Sequence, residues 1–253
     1  MAQVNRKKPP ELAKMRKAGR LVAETLQLAV EAAEPGVTTG KLDRLAEEYI
    51  RSHDAIPAFK GYRGYPATLC TSLNEEVVHG IPGARTIKEG DVLSIDAGVF
   101  LDGYAGDAAR TVLIGECSEE AQSITKTCRE ALQAALEVIR AGVKIAEIGH
   151  AIQQTAEDAG YGVVRKYTGH GIGKKMHEFP QIPNFVSSWP LSSGPKLPEG
   201  ATVAIEPMLT AGSGKVEELD NGWTVVTKER CLAVHFENTI AVEKERAVIM
   251  TIE

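Results

Sequence analysis

Apolar residues recur at helical spacing in four segments of this chain. In the first segment, from Glu11 to Glu34, a helix would bring onto one face Leu12, Met15, Ala18, Val22, Leu26 and Val30. Pro35-Gly36 should end that helix, and a shorter one should follow up to about Ser52. The same order of a long and a short helix is predicted again for residues 119–140 and 145–159.

A later segment predicts a β-hairpin that carries two acids. An apolar run at residues 92–95 ends at Asp96, and a second strand-like run contains Asp107. Asp102-Gly103 between the two runs is a strong signal for a two-residue turn. With that turn, Gly98 would face Asp107, and Asp96 would be the diagonal neighbour of Asp107 on the same face, roughly 7–8 Å away. Two carboxylates that converge in this way repel each other unless a proton or a metal ion lies between them.

The order of elements occurs twice along the chain. Residues 89–96, Glu-Gly-Asp-Val-Leu-Ser-Ile-Asp, align with residues 199–206, Glu-Gly-Ala-Thr-Val-Ala-Ile-Glu, and each segment follows a long–short helix pair. In each half a second acid, Asp107 or Glu237, precedes a run rich in β-branched residues. We therefore predict an α+β fold with two pseudo-symmetric halves, roughly residues 11–116 and 117–253, after an N-terminal tail of residues 1–10. Chance similarity between amphipathic helices is the alternative.

Composition and charge place the chain among ordinary globular proteins. Its 253 residues are enough for one large domain or two small ones, and a net charge of −5 does not indicate affinity for nucleic acid. No apolar run has the length of a membrane span, and the start of the chain lacks the apolar core of a signal peptide. The four cysteines are scattered without a Cys-X-X-Cys motif, which is typical of free thiols in a reducing cytoplasm.

Acids within apolar strands point to the chemistry of the protein, because a buried carboxylate without a partner costs several kcal/mol. One such acid is more often a half-exposed strand residue. Four at matching positions, Asp96, Asp107, Glu206 and Glu237, indicate a bound cation. His170, between two glycines, is the candidate fifth ligand, and a structural histidine is the alternative. Five such ligands exceed what one zinc ion takes. They suit two divalent ions, with manganese, iron or cobalt favoured, in an arrangement suited to hydrolysis.

Further motifs follow one another along almost the whole chain. They are Gly61-Tyr62-Arg63-Gly64-Tyr65-Pro66, Cys70-Thr71-Ser72-Leu73-Asn74-Glu75, His79-Gly80-Ile81-Pro82, Gly169-His170-Gly171-Ile172-Gly173, His177-Glu178, Ala204-Ile205-Glu206-Pro207-Met208 and Gly222-Trp223-Thr224. In kind and in order they resemble the type I methionine aminopeptidases. The resemblance implies the pita-bread fold, with a central antiparallel sheet and outer helices, and a single catalytic domain over residues 11–253. It also implies metal-dependent removal of the N-terminal methionine from nascent polypeptides with a small second residue.

The same resemblance assigns roles to individual residues. The implied metal ligands are Asp96, Asp107, His170, Glu206 and Glu237, with Asp107 and Glu237 bridging two ions. The implied catalytic residues are Glu206, which helps to deprotonate the attacking water, His177, which binds the scissile carbonyl, and His79, which acts near the scissile nitrogen. The implied substrate-binding residues are Phe59, Tyr62, Tyr65, Cys70, His79, His177 and Trp223. The alternatives are that the aromatic residues form plain core and that the two histidines are structural.

Some positions depart from the family pattern. His235 stands where glutamine is common, Phe179 where a second glutamate is frequent and Glu76 where apolar residues are frequent, and residues 186–193 are predicted to form an extra loop. These departures put the fine substrate subsites in doubt and leave the predicted metal ligands in place.

Two other functions are open at this point. One is a proline-specific peptidase of the same fold, and the other is a metal-free module that binds peptide or RNA. Retention of all five predicted ligands argues against the second. The resemblance further implies a cytoplasmic monomer that acts on nascent chains without a membrane or a specific nucleic acid, and it leaves association with the ribosome open.

Overall fold

The helices form two long–short pairs, as the apolar spacing predicted. In the computed structural model, which describes residues 3–186, 191 and 194–252, they are α1 (Pro9–Glu31), α2 (Thr39–Ser52), α3 (Glu119–Val138) and α4 (Ile145–Asp158). The prediction for the first helix was wrong at both ends. It begins at Pro9 because proline is tolerated in the first helical turn. It ends at Glu31, after which the N–H of Ala33 turns back to the carbonyl of Val30.

The strands are short except for the two of the predicted hairpin. In chain order they are β1 (Ile56–Pro57), β2 (Leu69–Leu73), β3 (Glu76–Val78), β4 (Val92–Leu101), β5 (Tyr104–Leu113), β6 (Gly162–Val163), β7 (Gly169–Gly171), β8 (Glu178–Ile182), β9 (Thr202–Ile205), β10 (Met208–Thr210), β11 (Val216–Glu218), β12 (Val225–Thr227), β13 (Ala233–His235), β14 (Glu237–Val242) and β15 (Ala247–Ile249).

Nine of these strands form one antiparallel sheet. Its order is β1–β4–β5–β14–β9–β7–β8, with β2 added on β4 and β15 on β14. The strands β13–β10–β6 and β11–β12–β3 form two smaller sheets. One apolar core joins α1 and α2 to β4 and β5, and a second joins α3 and α4 to β9 and β14. Each helix pair therefore covers its own half of the sheet, and the predicted α+β class is confirmed.

The acidic hairpin has the predicted register. Asp102 and Gly103 have φ values of 52° and 79°, and positive φ at both central residues is what a type I′ turn requires. The turn pairs Gly98 with Asp107 and Asp96 with Ala109. Asp96 and Asp107 therefore lie on the same face of the sheet, as predicted.

The two halves of the sheet meet where β5 pairs with β14, and there Ala109 faces Glu237. In the first half Asp107 pairs with Gly98. In the second half Met208, which the repeat aligns with Gly98, pairs with His235. Met208 and His235 belong to one of the smaller sheets, whereas Asp107 and Glu237 both lie on strands of the nine-stranded sheet. The correspondence of Asp107 with Glu237 therefore stays a prediction.

Residues 6–8, which the sequence assigned to a tail, contact the second half of the chain. Arg6 forms a β-bridge with Ala201, and the N–H of Lys7 donates to the carbonyl of Gly200 at 2.7 Å. The Lys7 side chain is buried against Glu178. These contacts hold the segment that leads into α1 against the second half of the chain.

The predicted extra loop at residues 186–193 lies largely outside the described residues. Within the described part of the chain, no helix combines the length and the apolar content needed to cross a bilayer.

Candidate metal centre and substrate cavity

Five neighbouring strands each supply one predicted ligand. Asp96 lies on β4, Asp107 on β5, Glu237 at the start of β14, Glu206 directly after β9 and His170 in the middle of β7. These strands are consecutive in the sheet. Asp96 pairs with Ala109, which pairs in turn with Glu237, so this row runs across three strands on one face. The sheet therefore directs residues that are far apart in sequence to one point.

His170 presents a lone pair to the acids. Its Nε2 lies 3.7 Å from Oδ2 of Asp107 and 3.6 Å from Oε1 of Glu206, and its Nδ1 lies 2.9 Å from the carbonyl oxygen of Gly171. Burial lowers the pKa of His170, so the ring is neutral and carries one proton. Because a carbonyl only accepts, that proton lies on Nδ1, which is the arrangement of a metal-binding histidine. Gly171 allows this close packing, since a Cβ there would lie 2.5 Å from the carbonyl oxygen of Phe179.

The surroundings of the four carboxyl groups disfavour their ionised forms. Loss of contact with water is the main cause that raises the pKa of Asp96, Asp107, Glu206 and Glu237. Repulsion from the neighbouring carboxylates raises the pKa of the last three further. In addition, Asp96 Oδ1, Asp107 Oδ1 and Glu237 Oε1 are buried without a hydrogen-bond partner among the described residues.

These features fit a site for divalent cations. Asp107, His170 and Glu237 each offer one ligand atom, and those atoms lie within 4.8 Å of one another. Buried acceptors without donors are rare in native proteins and call for an explanation such as an ion. Carboxylate oxygens with one neutral imidazole suit first-row divalent metals. A cation at this point would satisfy the unpartnered oxygens and replace repulsion by attraction.

A cavity of about 460 Å³ opens above the acids. Its lining includes all seven predicted substrate-binding residues, namely Phe59, Tyr62, Tyr65, Cys70, His79, His177 and Trp223. Tyr65 is buried, its hydroxyl lies 2.9 Å from the carbonyl oxygen of Leu69, and its ring meets Trp223 edge-on with centroids 5.0 Å apart. One wall of the cavity is therefore apolar and rigid.

Two of the lining histidines are neutral. Burial lowers the pKa of both His79 and His177 to about 4, with smaller contributions from neighbouring groups. Nδ1 of His177 lies 3.0 Å from the hydroxyl of Tyr62, and the His177 ring lies 4.1 Å from that of His170 between centroids. His79 has φ 60°, and its ring meets that of Tyr167 edge-on. Histidine rarely adopts a left-handed backbone conformation. It does so where the surrounding structure holds it there, often at a functional site.

The cavity is also lined by residues that the sequence did not indicate. These are Arg63, Lys166, Tyr167, Thr168, Glu178 and Gln181. Lys166, Tyr167 and Thr168 directly precede Gly169-His170, so the sequence around that motif could have indicated them. Gln181 could not have been found in this way, because it reaches the site only through the pairing of β8 with β7, in which it faces His170.

The curved arrangement of strands that delivers four carboxylates and one histidine to the floor of a cleft is that of a pita-bread metallohydrolase. The family described as Metallopeptidase family M24 matches residues 13–244. The chain belongs to this family.

Similar proteins cover nearly the full chain. A methionine aminopeptidase of Clostridium acetobutylicum is 50% identical over 247 residues, which are 97% of this chain and 98% of that protein. The crystal structure of methionine aminopeptidase from Rickettsia prowazekii superposes with a TM-score of 0.95 at 40% identity, covering 99% of this chain and 100% of that one. The predicted pita-bread fold is thereby confirmed. Prolidase from Pyrococcus furiosus superposes with a TM-score of 0.78 at 22% identity over 98% of this chain and 65% of that one, which shows a shared fold only.

Proposed function

We propose that this chain removes the N-terminal methionine from polypeptides by metal-dependent hydrolysis of the first peptide bond. The observation that carries the proposal is the convergence of four carboxylates and His170 at the floor of a cavity with an aromatic wall. Membership of a metallopeptidase family supports the reaction class. Full-length similarity to proteins named methionine aminopeptidase supports the substrate.

The residues that would hold the metal are Asp96, Asp107, His170, Glu206 and Glu237, and Asp107 and Glu237 would each contribute to both ions. Their number suits two divalent ions, and their oxygen-rich character favours manganese, iron or cobalt. When bound, such ions supply Lewis acidity that makes a water molecule a better nucleophile and polarises a carbonyl group. Glu206 accepts the proton that the attacking water loses.

His177 stabilises the carbonyl oxygen of the scissile bond. Its ring is neutral and therefore carries one proton. When the hydroxyl of Tyr62 donates to Nδ1, that proton lies on Nε2. The Nε2–H can then donate to the oxygen as negative charge develops on it, which typically contributes a few kcal/mol.

His79 assists proton movement at the other end of the bond. Its neutral ring has one N–H and one lone pair, so it can pass a proton to the leaving nitrogen. The contacts with Tyr167 and Trp223 hold the ring in place. Restriction to the terminal residue follows if the free α-amine of the substrate donates to Asp96.

The apolar wall of Phe59, Tyr62, Tyr65, Cys70 and Trp223 binds the methionine side chain. Burying such a side chain is worth roughly 1.5–3 kcal/mol, and contacts between its sulfur and aromatic rings add to this. Burial raises the pKa of the Cys70 thiol, so this residue is a neutral, apolar part of the wall. A second substrate residue with a bulky side chain would clash at the mouth of the cavity, so small second residues are preferred.

The physiological substrates are the N-termini of nascent polypeptides, and the chain acts on them as a cytoplasmic monomer. Transient association with the ribosome would bring it to those termini. A pull-down with translating ribosomes would detect the association. Comparing methionine release in that pull-down with release from free peptide would measure its contribution.

Methionine release from the peptide Met-Ala-Ser tests the function. The protein is stripped with a chelator and then supplied with Mn(II), Fe(II) or Co(II). Release should require metal, should be lost when the peptide is N-acetylated, and should be much slower for Met-Leu-Ser. Glu206→Gln, which keeps the shape of the side chain, should lose activity.

Failure of all three metals to restore release would refute the proposal. Cleavage of Ala-Pro-Ser in its place would favour the proline-specific alternative. Peptide binding without cleavage would favour the inactive module.

A further inference from the structure

His235 ends β13, two residues before Glu237 begins β14. It pairs with Met208 in one of the two smaller sheets. The chain therefore places an imidazole directly beside the strand that supplies Glu237, and no role in the proposed reaction uses it.

The backbone of His235 is bound to Thr111 of β5. Its N–H lies 3.0 Å from Oγ1 of Thr111, and the same hydroxyl donates to the carbonyl of His235 at 2.8 Å. The residue is 2% exposed. The ring therefore has no freedom to turn toward solvent, and its polar atoms must be satisfied within the protein.

The side chain is aimed at a metal ligand. Nε2 of His235 lies 3.8 Å from Oε2 of Glu237, which is too long for a hydrogen bond. Nε2 is buried and has no partner among the described residues, and the same holds for Oε1 of Glu237. Both residues are thus buried, adjacent and unsatisfied. A neutral imidazole protonated on Nε2 would satisfy itself and one lone pair of the carboxylate together.

We propose that His235 is a positioning residue for Glu237, whose carboxylate accepts a hydrogen bond from the Nε2–H of His235 when it is ionised and holds metal. Groups in this position orient a ligating carboxylate and leave its other lone pairs to the metal, and their loss typically costs about 10–100-fold in metal affinity or activity. The proposal rests on the metal centre described under the proposed function and adds a residue that does not itself touch metal or substrate.

Metal affinity of chelator-stripped protein, measured by calorimetric titration with Mn(II), tests this role without reference to turnover. His235→Leu keeps a similar volume and removes the donor, and it should weaken Mn(II) binding by about 10–100-fold. His235→Gln retains an N–H donor on a side chain of similar reach and should remain close to the wild type. His150→Leu, on the exposed face of α4, is the matched control and should not change the affinity.

Equal affinity of His235→Leu and the wild type would overturn the proposal. So would equal loss in His235→Gln and His235→Leu, because that result would mean that the imidazole acts as a ligand or as packing. If His235→Leu fails to fold in chelator, His235→Asn replaces it. The asparagine amide is too short to reach Glu237, so this variant should bind Mn(II) weakly.

Nuclear magnetic resonance of ¹⁵N-histidine-labelled protein supplies an independent readout. In the metal-free wild type His235 should be protonated on Nε2, and protonation on Nδ1 alone would overturn the proposal. If the wild type neither binds Mn(II) nor releases methionine, the proposed function fails along with this role. If the wild type does both and His235→Leu binds as well, only the role of His235 fails.

Discussion

Replacement of Lys7 by methionine should destabilise the protein by about 1–3 kcal/mol, because it leaves a half-buried carboxylate without its cation. Lys7 Nζ lies 2.7 Å from Oε2 of Glu178, and the two side chains are only 3% and 10% exposed. Lys7 is also enclosed by Gly173, where a Cβ would lie 2.5 Å from Cε of the lysine. Glu178 also lines the cavity and accepts hydrogen bonds from Asn5 Nδ2 and the N–H of Lys175, so part of the lost interaction is replaced.

The magnitude follows from the asymmetry of buried ion pairs. An intact pair contributes little net stability, because desolvation of two charges offsets their attraction. Loss of one partner leaves part of the desolvation cost of the other uncompensated. Glu178→Gln should therefore cost a similar amount, and the double variant Lys7→Met/Glu178→Gln should cost clearly less than the sum of the two.

The same change should slow catalysis. Glu178 begins β8 and directly follows His177, so the ion pair fixes the backbone beside the group that is proposed to bind the carbonyl oxygen. A displacement of a catalytic group by about 1 Å can cost on the order of 100-fold. We expect kcat of Lys7→Met to fall by about 10–100-fold, with a smaller change in KM, because the aromatic wall is not altered.

Urea unfolding in chelator, followed by circular dichroism, measures the stability without the contribution of bound metal. Lys8→Met is the matched control, because Lys8 is the exposed neighbour and its side chain forms no ion pair in the described part of the chain. If Lys7→Met unfolds at the same urea concentration as Lys8→Met, the ion pair does not hold the segment. If the double variant costs as much as the two single changes together, the charges are not coupled.

Three further outcomes follow from the site. Raised carboxyl pKa values mean that the metal-free protein holds more protons on these groups folded than unfolded. The cavity histidines, whose pKa is lowered, oppose this trend until unfolded histidine is deprotonated at about pH 7.5. The urea midpoint should therefore fall between about pH 7.5 and pH 9, and a constant or rising midpoint there would contradict this. Tyr62→Phe removes one hydrogen bond to His177 and keeps the ring stack, so kcat should fall about 2–10-fold with little change in KM; unchanged kcat would contradict the proposed tautomer. Gly171→Ala should lower stability by about 1–3 kcal/mol through overlap with the carbonyl of Phe179, whereas Gly83→Ala, in open space, should not.

Much of this site was predictable because its parts are local in sequence. The hairpin register followed from Asp102-Gly103 alone, since a two-residue turn determines which residues face each other. His170 could be singled out because its flanking glycines indicate close backbone packing. The helices followed from apolar spacing, and their ends were less certain because proline is compatible with a first turn.

Contacts between distant segments could not be predicted. The burial of Lys7 against Glu178 joins residues that only the folded sheet brings together. Gln181 reaches the cavity because it pairs with His170, and the register of β8 against β7 includes an irregularity that the apolar pattern does not reveal. The similarity of the two halves was visible in the sequence. The pairing of β5 with β14, which joins the halves in one sheet, was not.

The pairing of β5 with β14 explains why Glu237 faces ligands from both halves of the chain. Ala109 pairs with Asp96 on one side and with Glu237 on the other, where β5 of the first half meets β14 of the second. A carboxylate at this junction can reach ligands from both halves, and the small side chain of Ala109 between Asp96 and Glu237 leaves room for a cation. Asp107 from the first half and His170 from the second each offer a ligand atom within 4.8 Å of one on Glu237. This position between the halves supports a shared role for Glu237.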